Sequence, residues 1–172
     1  LLPDEDIQAD MYLRCAEVLE SRGFEQYEIS NFARDGLYSR HNMRYWTLRA
    51  YIGLGAAAHS DFAGRRSANK ADINEYIGAL REGRLPVEEE LTVSPEERAR
   101  ERVMLGLRTS RGIRSGYFLD EPAFFELAGE YAAHGLGRLN DDTFSLTPAG
   151  YMVSNGIINN FLDIPLGKVT GL

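Results

Sequence analysis

The stretch Ser39–Trp46, SRHNMRYW, crowds chemically versatile side chains together, and it holds one of the three histidines and the only tryptophan of the chain. His41 offers an imidazole whose neutral form presents a directed lone pair to a metal. Tyr45 and Trp46 offer flat rings, and Arg40 and Arg44 offer guanidiniums that pair with carboxylates. These are the parts of a haem or metal site, with imidazole on iron, rings against a porphyrin face and arginines on its propionates. They are also the parts of a plain structural segment, with a loop histidine bonding backbone and the rings filling core. For a lone histidine the structural role is the commoner one, and spacing alone leaves both readings open.

Other residues raise similar choices. Gly53 and Gly55 lie in YIGLGAAA, residues 51–58, which lacks the third glycine of a dinucleotide fingerprint. Tight strand packing and close approach of a ligand both fit them. His59 and Ser60 follow that run, where the carboxyl end of a barrel strand would face a ligand. Glu28 sits in an apolar strand and needs an arginine partner or a polar pocket, since a buried unpaired carboxylate is costly. His134 stands at a predicted helix end and reads as a cap. Cys15 lies on the apolar stripe of a predicted helix and reads as core.

The elements that must position these residues follow from hydrophobic period. Pro3–Ser21 reads as an amphipathic helix, with Ile7, Met11, Cys15, Val18 and Leu19 at helical spacing. Residues 24–30 read as a strand, 31–48 as a loop with local structure, and 51–58 as a buried parallel strand. A helix is predicted over 71–81. Ser94-Pro95-Glu96-Glu97 opens another, with Ser94 as N-cap and a capping box to Glu97, and with Ala99, Val103 and Leu107 on its buried face. A further helix is predicted over Glu121–Ala133, then a hairpin over 137–147 turning at Asn140-Asp141. Thr147-Pro148 opens a last helix with Val153, Ile157 and Phe161 on one face. The tail from Asp163 has no period and is expected to be mobile. The first half alternates as an α/β fold does, and the second half runs helix, helix, two-stranded wing, helix.

Composition bounds the function. The chain has 172 residues, 44% hydrophobic and 26% charged, enough for one or two small globular domains. A net charge of −7 argues against general nucleic-acid binding, which needs a basic face. A single cysteine excludes an intrachain disulfide and a Cys-rich zinc or iron–sulfur site held by these residues alone. It fits a reducing compartment, and a cytoplasmic location is expected. No apolar run approaches the roughly 20 residues of a membrane-spanning helix. No secretory signal opens the chain, which begins on Leu1 and reads as a piece of a longer protein.

Four blocks in order, YEISNFAR (27–34), RHNMRYW (40–46), YIGLGAAAHS (51–60) and LTPAGYMVSNGI (146–157), resemble the HemW family. These are radical-SAM proteins related to oxygen-independent coproporphyrinogen III oxidase. The resemblance runs from about Leu2 to Leu162 and implies the following. The fold is α/β plus α+β: residues 1–66 are the last βα units of a partial (β/α) barrel, and 67–172 are a HemN-type C-terminal domain, with a connecting helix at 71–82 and a winged-helix-like part at 90–162. The element His41-Asn42-x-x-Tyr45-Trp46 marks the haem-chaperone branch and is tied to haem binding, with His41 as the iron ligand and Arg40 beside it. Gly53, Gly55 and His59 match a strand beside the S-adenosylmethionine pocket. S-adenosylmethionine and a [4Fe–4S] cluster belong to the full-length parent, because the CxxxCxxC motif is absent here. The segment between Leu107 and Leu146 is shorter than in typical members.

The implied role is to bind haem and deliver it to haem-dependent proteins, with a partner at the membrane periphery and no nucleic acid. Two alternatives remain: coproporphyrinogen oxidation in porphyrin biosynthesis, and a winged-helix interaction module. The chain by itself is expected to be inactive, since one cysteine cannot hold four irons. Reconstitution of the isolated chain with iron and sulfide should give no cluster absorbance; a stoichiometric [4Fe–4S] spectrum would overturn this.

Overall fold

The computed structural model describes residues 2–168. Helix α1, Glu5–Glu20, starts at Asp4, whose carboxylate accepts the Ile7 amide at 2.9 Å. It packs on an antiparallel hairpin of β1, Phe24–Glu28, and β2, Asn31–Arg34. The phenol of Tyr12 donates to the Ile29 carbonyl at 3.1 Å and fixes which side of α1 faces inward. That side carries Tyr12 and Ala16, so Ile7, Met11 and Cys15 point outward. Cys15 is therefore exposed rather than in the core.

The local structure expected within residues 31–48 is regular. These residues form β2 and the short helix α2, Arg40–Trp46, whose start is capped by the Ser39 hydroxyl accepting the Asn42 amide at 3.3 Å. Each element is only a few residues long and buries a single anchor, Ala33 and Met43, which leaves no period to read.

Residues 51–58 are not a parallel strand. Tyr51 forms an isolated antiparallel bridge to Asp61, and the rest curls as irregular backbone with Ile52 and Leu54 exposed. Positive φ at Gly55 (115°) and Ala57 (58°) breaks the extended conformation. The sheet begins after it, with β3, His59–Phe62, β4, Arg65–Asn69, and β5, Val87–Thr92. All of its ladders are antiparallel, in the order β3-β4-β5. Position 66/67, where the resemblance divides the chain, lies inside β4. Helix α3, Ile73–Arg81, connects β4 to β5 and is capped by Asp72.

The second half follows its sequence signals closely. Helix α4, Pro95–Gly106, has the full Ser94/Glu97 capping box. Strand β6, Ile113–Arg114, is too short to carry a pattern and joins a sheet ordered β6-β8-β7. Helix α5, Glu121–Ala133, ends on His134 as its C-cap. Strands β7, Gly137–Asn140, and β8, Thr143–Leu146, pair through Asn140 and Thr143, so the turn is Asp141-Asp142, one residue later than expected, with Asp141 at φ 49°. The last helix is two, α6, Pro148–Met152, and α7, Ser154–Leu162, broken at Val153. The break leaves Val153 half exposed while Ile157 and Phe161 stay buried. The segment after α7 is docked through residue 168: Ile164 is buried, and the Leu119 amide donates to the Pro165 carbonyl at 2.8 Å. Residues 169–172 of the expected mobile tail lie outside the described residues.

The main core joins α4, α5, α7 and the second sheet through Val103, Leu107, Ile113, Phe124, Phe144 and Phe161, all at 0% exposure. Phe161 contacts the rings of Phe124 and Phe144 at centroid distances of 5.7 and 5.2 Å. The first hairpin attaches to this core by backbone: the Ile29 amide donates to the Arg108 carbonyl at 2.9 Å, and the Ser110 amide to the Tyr27 carbonyl at 3.1 Å.

The first sheet attaches by charge. Arg98 of α4 forks onto Asp61 of β3, Nη1 to Oδ2 at 2.8 Å and Nη2 to Oδ1 at 2.9 Å. Arg66 reaches Asp61 at 3.0 Å and Glu101 at 2.8 Å, and Arg98 also reaches Glu101 at 3.1 Å. The Arg98 hydrogen bonds, with Arg66 behind them, hold the Asp61 carboxyl below the usual carboxylate range. A depressed carboxyl adds stability above its unfolded pKa of about 3.9, and that stability is lost as pH falls through the folded value. Asp61→Asn should therefore lower stability by about 3 kcal/mol at pH 7, because a buried guanidinium loses its fork. Urea unfolding of wild type and variant across pH should show the gap closing in acid; a gap independent of pH would refute the assignment.

Candidate functional site

The hairpin builds the platform for α2. Tyr27, Ala33 and Met43 form a small buried cluster, with Tyr38 and Trp46 packed against it. Tyr27 and Tyr38 stack at 4.7 Å with planes 11° apart, and the Tyr38 phenol is bound to Glu25. Met43 thus pins one face of α2 down and turns Arg40, His41 and Arg44 outward.

His41 lies on this helix, not on a loop, and it is exposed. Its ring meets Tyr45 edge-on at 5.0 Å, with the Tyr45 hydroxyl 3.3 Å from Nε2. Tyr45 in turn meets Tyr51 edge-on at 4.6 Å. The i, i+4 spacing of His41 and Tyr45 puts them on one helical face. Asn42 donates its backbone amide to the Ser39 cap, and Trp46 is half buried at the edge of the small cluster.

A recess of about 680 Å³ opens beside the helix, lined by Arg40, His41, Arg44, Arg49 and Arg111, with Tyr38 and Met43 at its back. Among the described residues none of these four arginines has a carboxylate within 4.0 Å; the ion pairs lie elsewhere, on Arg14, Arg65, Arg66, Lys70, Arg84, Arg98, Arg114 and Lys168. Arg44 donates to the Ala50 carbonyl at 2.7 Å, which ties it to the following loop. The far side of Trp46 and Tyr45 lines a smaller recess of about 350 Å³ with Tyr51 and Met104. The arrangement offers an imidazole nitrogen, aromatic edges and a dense, uncompensated positive charge.

Gly53, Gly55 and His59 do not line the recess that holds His41. Gly53 is explained by packing: a Cβ there would stand 2.2 Å from the His59 carbonyl oxygen. The loop is held by Asn69, whose amide donates to the Gly55 carbonyl at 3.0 Å, by the Ser60 hydroxyl on the Gly53 amide at 3.1 Å, and by the Tyr76 hydroxyl on the Gly55 amide at 3.1 Å. Glu28 is 1% exposed and, among the described residues, forms no ion pair. Its carboxylate accepts instead from the Ser30 amide at 3.0 Å and from the Asn31 side chain. His134 is a cap, with Nδ1 at 2.8 Å from the Glu130 carbonyl. Arg49 and Arg111 escaped the sequence reading. Arg49 stands three residues past the motif, but Arg111 comes from the turn after α4 and no local signal connects it to His41.

Comparison with known proteins places the chain by sequence and by fold. The HemN C-terminal domain family matches residues 93–153. The heme chaperone HemW of Bacillus subtilis is 32% identical over 167 residues, covering 94% of this chain and 44% of that protein. Nearly the whole chain is thus similar to part of this heme chaperone. The heme chaperone HemW of Lactococcus lactis is also 32% identical, over 170 residues, with the same shares covered. The mitochondrial radical S-adenosyl methionine domain-containing protein 1 of Mus musculus is 35% identical over 134 residues, 78% of this chain and 26% of that one. Among solved structures, coproporphyrinogen III oxidase HemN from Escherichia coli, a radical SAM enzyme, shares the fold with a TM-score of 0.68 at 15% identity, over 93% of this chain and 42% of that one. The chain thus spans less than half the length of the HemW relatives it matches. No described helix is long and apolar enough to cross a membrane.

The packing role of Gly53 is testable. Gly53→Ala should cost about 1–3 kcal/mol in urea unfolding through overpacking against the His59 carbonyl. It should leave the native fluorescence of Trp46 unchanged, since the two positions share no recess. Unaltered stability would remove the packing explanation.

Proposed function

We propose that this chain is the haem-holding C-terminal part of a radical-SAM haem chaperone, with His41 as the iron ligand. The observation that carries the reading is the exposed His41 imidazole at the rim of a recess ringed by guanidiniums without carboxylate partners. Among the described residues no three His, Cys, Asp or Glu side chains gather as a metal site. An iron at His41 would therefore take its remaining ligands from a macrocycle, which suits haem better than a free ion. When bound, haem supplies the iron centre to be handed on. Met43 and the Tyr27–Tyr38 stack hold α2 in place. Tyr45 orients the imidazole, Trp46 packs on the small cluster beneath the helix and does not line the recess, Asn42 helps close the helix start, and Arg40 and Arg44 would face the propionates.

In the full-length protein, residues 1–66 complete a (β/α) barrel and 67–172 form the HemN-type domain, whose β6-β8-β7 sheet and flanking helices make the winged-helix-like part. Gly53, Gly55 and His59 stand on the side of the S-adenosylmethionine pocket, and that pocket and the [4Fe–4S] cluster are built by the rest of the protein. Haem passes to haem-dependent proteins in the cytoplasm or at the membrane periphery. The His-Asn-x-x-Tyr-Trp element favours this role over porphyrinogen oxidation, for which likeness of fold is the support.

Haem titrated into the full-length protein should show His41→Ala weakened at least about tenfold with a shifted Soret band, on the scale of losing a metal-site group. The thermal midpoint should hold, because the side chain is exposed. His134→Ala should change neither haem affinity nor spectrum. A normal Soret band in His41→Ala would sink the ligand assignment.

A further inference from the structure

Every arginine of the recess except Arg111 comes from the α2 segment. Arg111 arrives from the second half of the chain, and the backbone explains how. Residues 27–29 of the first hairpin and 108–110 after α4 are zipped together by the Ile29–Arg108 and Ser110–Tyr27 hydrogen bonds and by the antiparallel bridge of Glu28 with Thr109. The next residue, Arg111, is thereby set against Gly36 and Tyr38 at the recess wall. Arg49 enters from the opposite end, past α2, behind the turn in which the Arg49 amide donates to the Arg44 carbonyl at 2.9 Å. Neither side chain of this pair makes a hydrogen bond or ion pair among the described residues. A protein of net charge −7 that keeps these guanidiniums unpaired around one concavity spends repulsion there with no structural return.

The geometry points to Arg49 and Arg111 as a carboxylate clamp that closes on the ligand's acid groups from both halves of the chain. This rests on the haem reading for the identity of the ligand but not for the clamp's chemistry. The clamp would select porphyrins by free carboxylates, independently of whether iron is present, since a guanidinium fork matches a carboxylate and gains nothing from an ester. Arg111 would make occupancy of the recess a contact shared by the hairpin unit and the HemN-type domain.

The test uses metal-free protoporphyrin IX, its dimethyl ester and haem, each titrated into the full-length protein. Proteins compared are wild type, Arg49→Gln/Arg111→Gln, and a control of equal charge change, Arg14→Gln/Arg81→Gln. The clamp variant should bind protoporphyrin IX and haem about tenfold more weakly than the control, taking one charge-assisted bond as roughly 1.4 kcal/mol or more. Its Soret position with haem should match wild type, because His41 is untouched. The dimethyl ester should bind all three proteins alike. Arg49→Lys/Arg111→Lys should recover part of the loss. Equal affinity of clamp variant and control for protoporphyrin IX would overturn the clamp while leaving His41 ligation standing. Protoporphyrin binding that depends on the clamp, with no Soret shift in His41→Ala, would keep the clamp and remove the ligand assignment. Failure of wild type to bind either porphyrin would overturn both.

Discussion

The forked pair between Arg98 and Asp61 is the constraint on which the arrangement turns. Arg98 is 7% exposed, and its permanently charged guanidinium is costly to bury without a partner of matching geometry; Asp61 supplies both oxygens. Arg66 and Glu101 bring the group to two positive and two negative charges, so the cluster is neutral as a whole. The consequence runs through backbone. Asp61 exchanges two hydrogen bonds with Tyr51, at 2.8 and 3.0 Å, and Tyr51 meets Tyr45 on α2. The helix that carries His41 is thus referenced to α4, and hence to the phenylalanine core, through one carboxylate. A buried ion network offsets its own desolvation cost only when its geometry is good, so its net contribution to stability is small. Here what it fixes is the relative position of the recess and the core.

The recess shows how charge can be distributed against the average. The chain is acidic overall, yet Arg40, Arg44, Arg49 and Arg111 face one concavity. Acidic residues are spread over the other elements, densest on α1 and β5, and none among the described residues pairs with these four arginines. An acidic ligand approaching such a molecule is repelled by most of the surface and attracted at one place, which favours the right encounter over nonspecific sticking. The platform beneath is apolar and aromatic, so the site is rigid where it touches the protein and charged where it meets solvent.

The second half of the fold was legible because its signals are local. Ser94 and Glu97 make a capping box within four residues, Glu121–Ala133 carries its own apolar period, and the 137–147 hairpin announces its turn. The first half resisted for the opposite reason. YIGLGAAA looks like a buried strand because small and apolar residues serve two purposes, and only the approach of the His59 carbonyl to Gly53 shows which applies. The helix around His41 spans seven residues, too few for amphipathic period to emerge. Cys15 sat on a true stripe, but which stripe of α1 turns inward was decided by Tyr12 reaching Ile29, a contact 17 residues away. Of the site, the motif residues could be read directly, whereas Arg111 could not, because its place depends on a strand bridge between Glu28 and Thr109.

Strand β5 has a further bearing on how the molecule behaves among copies of itself. It is the outer strand of its sheet, exposed along its full length, and its sequence VEEELT sets three glutamates in a row beside Leu91 and Val87. An open strand edge is a template for another edge, and carboxylates along it keep like edges apart. That protection exists only while the glutamates are ionised. Concentrated salt screens those carboxylates and thins it. Colloidal behaviour, rather than folding, is then the property most sensitive to this strand: the same three residues that add nothing to the core set the conditions under which the chain stays dispersed.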